Sequence, residues 1–183
     1  MPYVNAKEVL TDAKKNHYAV GHFNLNNMES VRAFLLAAEE KKSPIILGVS
    51  GGTAKYMGGY RTIADMVKDF MAFLKTTVPV CLHVDHGTYE EALAAIDGGF
   101  SSVMFDGSKY SIDENIEKTR TIVKLAHEKG ITVEAEVGAI GGEEDGRISM
   151  GECADPEQCK RIALALETSM DYLAGLTDEK KKK

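Results

Sequence analysis

His83, Asp85 and His86 crowd into one short run directly after the apolar stretch Pro79-Val-Cys-Leu82. In an extended chain alternate residues share a face, so His83 and Asp85 point the same way while His86 begins the turn. A neutral imidazole is a common zinc ligand, and a carboxylate beside it can move a proton. The competing reading is a buried histidine satisfied by hydrogen bonds, with Asp85 capping the next helix. Three such residues at one strand end favour the chemistry. Glu134 and Glu136 form a second pair on one strand face. Two carboxylates on a covered strand are costly unless a cation, an arginine or a proton compensates.

Other polar residues fall at similar places. Apolar runs end in His22-Phe-Asn24, Ser50-Gly51-Gly52 and Asp106-Gly107-Ser108. Ser50-Gly51-Gly52 can present backbone N–H groups to a phosphate, or it is an ordinary strand-to-loop turn. The run from Gly138 to Gly146, which carries Glu143, Glu144 and Asp145, suits a mobile lid bearing a base, or a solvated surface loop.

The elements that must position these groups alternate along the chain. Short apolar runs start at Ala19, Pro44, Pro79, Ser101, Ile131 and, more weakly, Asp171. Rich in Val and Ile, they read as parallel strands covered on both faces. Between them lie amphipathic stretches such as Ile63, Met66, Val67, Phe70 and Leu74. Thr88 with Glu91, and Ser111 with Glu114, read as capping boxes, and Asp155-Pro156 as a cap followed by proline at the first helical position. Gly98-Gly99 and Gly130 stand where helices should stop. A further helix, from Asn5 to about Lys15, precedes the first strand. Alternation of this kind means α/β, either a doubly wound sheet or a (β/α)8 barrel. Polar residues at the C-terminal strand ends occupy the site position of both. Six units spaced by about 30 residues fall short of a barrel's usual eight, so on the barrel reading the arrangement is truncated after about six strands. It would occupy 1–175, with a charged tail at 176–183.

Composition narrows the class. The 183 residues are 44% apolar and 27% charged, as in a globular domain with a real core. A net charge of −6 argues against a general nucleic-acid or membrane-surface binder. No apolar run approaches the roughly 18 residues of a membrane span, and no signal-peptide pattern opens the chain. Three cysteines without a paired framework read as reduced thiols in a cytoplasmic protein.

Two runs resemble the signatures of the class II, zinc-dependent fructose-bisphosphate aldolases. They are Val78-Pro-Val-Cys-Leu-His83-Val-Asp85-His86-Gly87 and Val133-Glu134-Ala-Glu136-Val-Gly138-Ala-Ile-Gly141-Gly142-Glu143-Glu144. Gly21-His-Phe-Asn24, Lys55-Tyr-Met-Gly-Gly-Tyr60 and Ser102-Val-Met-Phe-Asp106 also look familial, and the likeness runs from Met1 to about Gly175. The resemblance implies a TIM barrel that cleaves fructose 1,6-bisphosphate to dihydroxyacetone phosphate and glyceraldehyde 3-phosphate in glycolysis or gluconeogenesis. It implies Zn2+, with a monovalent cation as a further candidate, and a cytoplasmic homodimer or homotetramer acting on a small phosphorylated sugar. By position, His86 corresponds to a zinc ligand, and Asp106 and Glu136 to residues holding the metal in a buried position. Asp85 corresponds to the proton carrier at the aldehyde-derived oxygen and Glu144 to the loop carboxylate at the ketose carbon. Ser50 corresponds to a phosphate contact and Asn24 to a residue lining the substrate pocket.

The family's other two zinc histidines, its glycine-rich phosphate loop and its last two strands have no counterpart here. The expectation is therefore that residues 1–183 alone lack aldolase activity and bind zinc weakly. Two alternatives to a fructose-bisphosphate aldolase accompany it: a tagatose-bisphosphate or related ketose-bisphosphate aldolase, and an inactive barrel fragment that needs a partner.

Overall fold

The computed structural model describes residues 2–138, 142–144 and 147–170, with 142–144 and 147–149 described by their backbone. The strands are β1 (Gly21–Asn24), β2 (Ile45–Val49), β3 (Val80–Gly87), β4 (Ser102–Phe105) and β5 (Thr132–Ala135). They form one sheet in the order β1-β2-β3-β4-β5, every pair parallel. A doubly wound sheet reverses direction at a switch point; this one never does. The winding is that of a β/α barrel, of which these strands are an arc. A sixth strand, expected from Asp171, falls outside the described residues.

The helices follow local chemistry. α1 (Ala6–Asn16) starts at Asn5, whose side chain accepts from Glu8 N–H. α2 (Met28–Lys41) starts with a capping box between Asn27 and Ser30 that the sequence reading did not anticipate. α3 (Gly51–Tyr56) is also unanticipated, because its Gly-Gly opening reads as a loop. α4 spans Tyr60–Phe73. α5 (Tyr89–Gly98) has the full Thr88–Glu91 box and stops at Gly99, whose φ is 91°. α6 (Ile112–Glu128) has only half of its expected box: Ser111 Oγ accepts from Glu114 N–H, while the Glu114 carboxylate stands 3.7 Å from Lys118 Nζ. α7 (Pro156–Ala165) is capped by Asp155, with proline in its first turn.

Side-chain parity divides the sheet into two faces. Leu47, Val49, Leu82, Val84, Val103 and Phe105 join residues of α2, α4, α5 and α6 in the main core. Each such buried aliphatic or aromatic side chain stabilises the fold by about 1.5–3 kcal/mol relative to exposure. The opposite, inner face carries His22, Asn24, His83, Ser102, Thr132 and Glu134. Coverage on both faces was expected; here helices cover one face, and the inner face is polar along much of its length. At its N-terminal end α1 closes it, where Val9 packs on Ile46 and Cys81.

Past β5, β6 (Gly142–Glu144) pairs antiparallel with β7 (Arg147–Ser149), so Gly142–Glu144 of the acidic run are strand, and the rest of that run after Gly138 lies outside the described residues. α7 packs on α6 through Ile116, Ile162 and Ala165. Among the described residues, β1 and β5 are the sheet edges, and Phe23 on β1 is 46% exposed. No helix among these residues is long and apolar enough to cross a membrane.

Candidate metal centre

The C-terminal end of β3 departs from regular pairing where the chemistry is densest. Val84 pairs with Val103 and Gly87 with Phe105, so β3 carries one more residue than β4 across this step. Such a bulge re-aims side chains. His86, inside it, has φ 48°, a left-handed conformation uncommon for a residue with a side chain and typical of functional sites. Regular alternation would place His86 on the face opposite Asp85. The bulge turns its ring toward the ends of β4 and β5.

There it meets two carboxylates. His86 Nδ1 is 3.2 Å from Glu136 Oε2 and 3.9 Å from Asp106 Oδ2. One donor atom from each of the three residues lies within 4.8 Å of the others. Asp106 is held by backbone on both sides. Its N–H donates to Gly87 O, and its Oδ1 accepts from Ser108 N–H. Imidazole nitrogen with carboxylate oxygens is a donor set that suits a divalent cation such as Zn2+. The residues present fit a metal.

Below this group lies a pair of histidines on the inner face. His83 Nδ1 is 2.8 Å from Ser102 Oγ, and its Nε2 is 3.7 Å from Glu134 Oε2. The His22 ring meets the His83 ring edge to face at 5.5 Å. Burial, with the neighbouring His22 adding to it, pushes His83 down to about 4. Burial and the Asp85 charge push the Glu134 carboxyl up, although solvent screens a side chain that is 61% exposed.

The remaining sequence-derived residues divide between near and apart. Asp85 is half-buried in the bulge beside His86. Asn24 ends β1 on the inner face, and a Cβ at Gly48 would meet its Oδ1 at 2.8 Å and His22 Nε2 at 2.2 Å. The absence of a side chain at Gly48 is what admits both. Ser50 caps α3, its Oγ accepting from Thr53 N–H. Glu144 lies in β6, and its side chain is outside the described part of the structure. Asn115 escaped the sequence reading. Its amide donates to Glu136 O, and it occupies the buried stripe of α6. A polar residue on an apolar stripe was the available signal.

Fold and centre together define a β/α-barrel protein with a cluster at the C-terminal ends of its strands whose donor atoms could hold a metal ion. Comparison with known proteins makes this specific. Residues 4–175 match the sequence model of fructose-bisphosphate aldolase class-II, and the chain belongs to that family. It is 49% identical over 175 residues to a fructose-bisphosphate aldolase of Streptococcus pyogenes serotype M3, covering 96% of this chain and 59% of that one. It is 49% identical to the fructose-bisphosphate aldolase of Geobacillus stearothermophilus, covering 95% of this chain and 61% of that one. A crystal structure from Coccidioides immitis, assigned as a fructose-1,6-biphosphate aldolase, superposes with a TM-score of 0.77 at 30% identity, covering 88% of this chain and 57% of that one. The chain thus spans about three fifths of the length of its relatives.

Proposed function

We propose that this chain carries part of the active site of a class II aldolase that cleaves fructose 1,6-bisphosphate to dihydroxyacetone phosphate and glyceraldehyde 3-phosphate. The observation that carries the proposal is the convergence of His86, Asp106 and Glu136 at the bulged end of β3. His86, Asp106 and Glu136 would hold Zn2+. When bound, the ion supplies Lewis-acid stabilisation of the negative charge left by carbon–carbon cleavage.

The proton work falls to this chain's carboxylates. Asp85 takes the proton from the hydroxyl that becomes the aldehyde carbonyl as the carbon–carbon bond breaks. The bonding pair passes to the ketose-side carbon, and Glu144 returns a proton there. Ser50 contacts a phosphate and Asn24 lines the pocket. Both are roles for residues at C-terminal strand ends, the usual site face of β/α barrels.

The test is a coupled cleavage assay on the purified protein with metal analysis, offering fructose 1,6-bisphosphate and tagatose 1,6-bisphosphate separately. The expected result is that residues 1–183 alone are inactive, while the intact aldolase that contains them cleaves the fructose substrate in a reaction that a chelator abolishes and Zn2+ restores. Preference for the tagatose substrate overturns the substrate assignment. Cleavage indifferent to chelation overturns the metal chemistry.

A further inference from the structure

We infer that Asn115 is a positioning residue for the metal centre, locking the ends of β4 and β5 so that Asp106 and Glu136 converge. The inference rests on the metal-binding reading of these two carboxylates with His86. The β4–β5 ladder ends at the pair Phe105–Ala135. Asp106 and Glu136 each lie one residue beyond it, where the ladder no longer sets their spacing.

Asn115, in the first turns of α6, occupies that gap. It is 2% exposed. Its Nδ2 donates to Glu136 O at 2.9 Å, and its Oδ1 accepts from the buried Thr119 hydroxyl at 3.2 Å. The other side of the amide lies against the exit of β4. A Cβ built on Gly107 would sit 2.1 Å from Asn115 Oδ1 and 2.3 Å from its Cγ, so only glycine allows the amide this close. One planar group therefore touches the residue after Asp106 and bonds the backbone of Glu136.

A buried amide costs free energy unless its hydrogen bonds are made, and an apolar side chain would fill the same space without that cost. What the amide adds is direction: it fixes the Glu136 carbonyl, and with it the angle at which the Glu136 side chain leaves β5. Groups that orient ligands in this way typically change metal affinity by about 10–100-fold when removed.

The experiment measures Zn2+ affinity against a chromophoric chelator, the visible spectrum of the Co2+-substituted protein, and the thermal midpoint of the metal-free protein. The variants are Asn115→Ala, Gly107→Ala and Ile122→Val, with His86→Ala and Glu136→Gln as controls. Asn115→Ala is expected to weaken Zn2+ binding by at least about tenfold and to alter the Co2+ spectrum. Ile122→Val, a core change on the same helix, should lower the midpoint and leave Zn2+ affinity within about twofold, because it only trims core packing. Zn2+ affinity near the parental value in Asn115→Ala overturns the inference and leaves Asn115 a packing residue. If Asn115→Ala does not fold, Gly107→Ala carries the same expectation, since its methyl displaces the amide without removing it. If His86→Ala and Glu136→Gln also keep parental affinity, the metal reading itself falls, and this inference with it. If they lose the metal while Asn115→Ala and Gly107→Ala keep it, only the positioning role falls.

Discussion

His83 Nδ1 and Ser102 Oγ lie 2.8 Å apart on the inner face of adjacent strands, both residues nearly shut off from solvent. The pair joins β3 to β4 just before the bulge that carries His86. A hydroxyl can donate to a neutral imidazole or accept from one, so the contact tolerates either neutral tautomer.

The first prediction is that His83 stays neutral through the physiological range. Burial holds its pKa at about 4 instead of the ordinary 6.5. A histidine that is harder to protonate when folded lets the unfolded chain bind more protons between those two values. Its contribution to stability is therefore complete above about pH 6.5 and is lost as pH falls toward about 4, by up to about 1.4 kcal/mol per pH unit. An NMR titration should show no His83 protonation step between pH 5.5 and 8, and His83→Gln should flatten the acid limb of the stability curve. A titration midpoint near 6.5 would refute the burial argument.

Much of this arrangement is legible in the residues, and what is not has identifiable causes. The strands from Gly21 to Ala135 follow from apolar runs with glycine and cap signals around them, because those depend on neighbours in sequence. The gathering of polar residues at strand ends gives the face of the site. The bulge at Asp85-His86 is not legible, since it is made by the register between two strands and leaves no local trace. α3 hides behind Gly51-Gly52. Gly51 is glycine for a reason outside its own segment: a Cβ there would sit 2.0 Å from Glu91 Oε1, the carboxylate that closes the α5 capping box. Asn115 is hidden in the same sense, as its partners Gly107 and Glu136 come from other units.

The second prediction separates proton transfer from metal holding. In the intact aldolase that contains this chain, Asp85→Ala should lower kcat by about 10²–10⁴ and leave the metal bound, the usual worth of a general acid–base. His86→Ala should lose metal and activity together. Steady-state kinetics with parallel metal analysis decide it. An Asp85→Ala enzyme that turns over at the parental rate, or a His86→Ala protein with stoichiometric zinc, refutes the corresponding role.

The third prediction concerns the thiols. Cys81 is buried at the foot of the inner face, where it packs on Val9 and Ile46, and burial pushes its thiol up to about 11. Thiolate is the reactive form, so Cys81 should be inert near neutral pH. Cys153 is exposed and Cys159 partly so. Labelling at pH 8 should modify Cys153 fastest and leave Cys81 intact until denaturant is added, as read by peptide mass analysis. Rapid labelling of Cys81 in the folded protein would mean that α1 does not close the inner face.

The last prediction contrasts two glycines that both lack room for a side chain. A Cβ at Gly87 would lie 2.7 Å from Val84 Cγ1 and 3.0 Å from the Met104 carbonyl oxygen. Val84 is fully buried and Met104 O belongs to β4, so neither can yield without moving core or backbone. A Cβ at Gly48 meets His22 Nε2 and Asn24 Oδ1, the free ends of exposed side chains that can rotate away. Gly87→Ala should therefore cost about 1–3 kcal/mol, the usual range for overpacking, and Gly48→Ala less than about 1 kcal/mol. The site should respond in the same order. Gly87 follows His86 and its carbonyl accepts from Asp106 N–H, so pushing the end of β3 off β4 separates two residues of the proposed metal set. Gly48→Ala leaves those residues alone and disturbs Asn24, so in the intact aldolase it should raise KM with metal affinity intact. Urea unfolding, metal titration and kinetics on both variants test the contrast. If Gly87→Ala is as stable as Gly48→Ala and binds metal as the parent does, the bulged end of β3 is not the rigid mount that the close contacts at Gly87 imply.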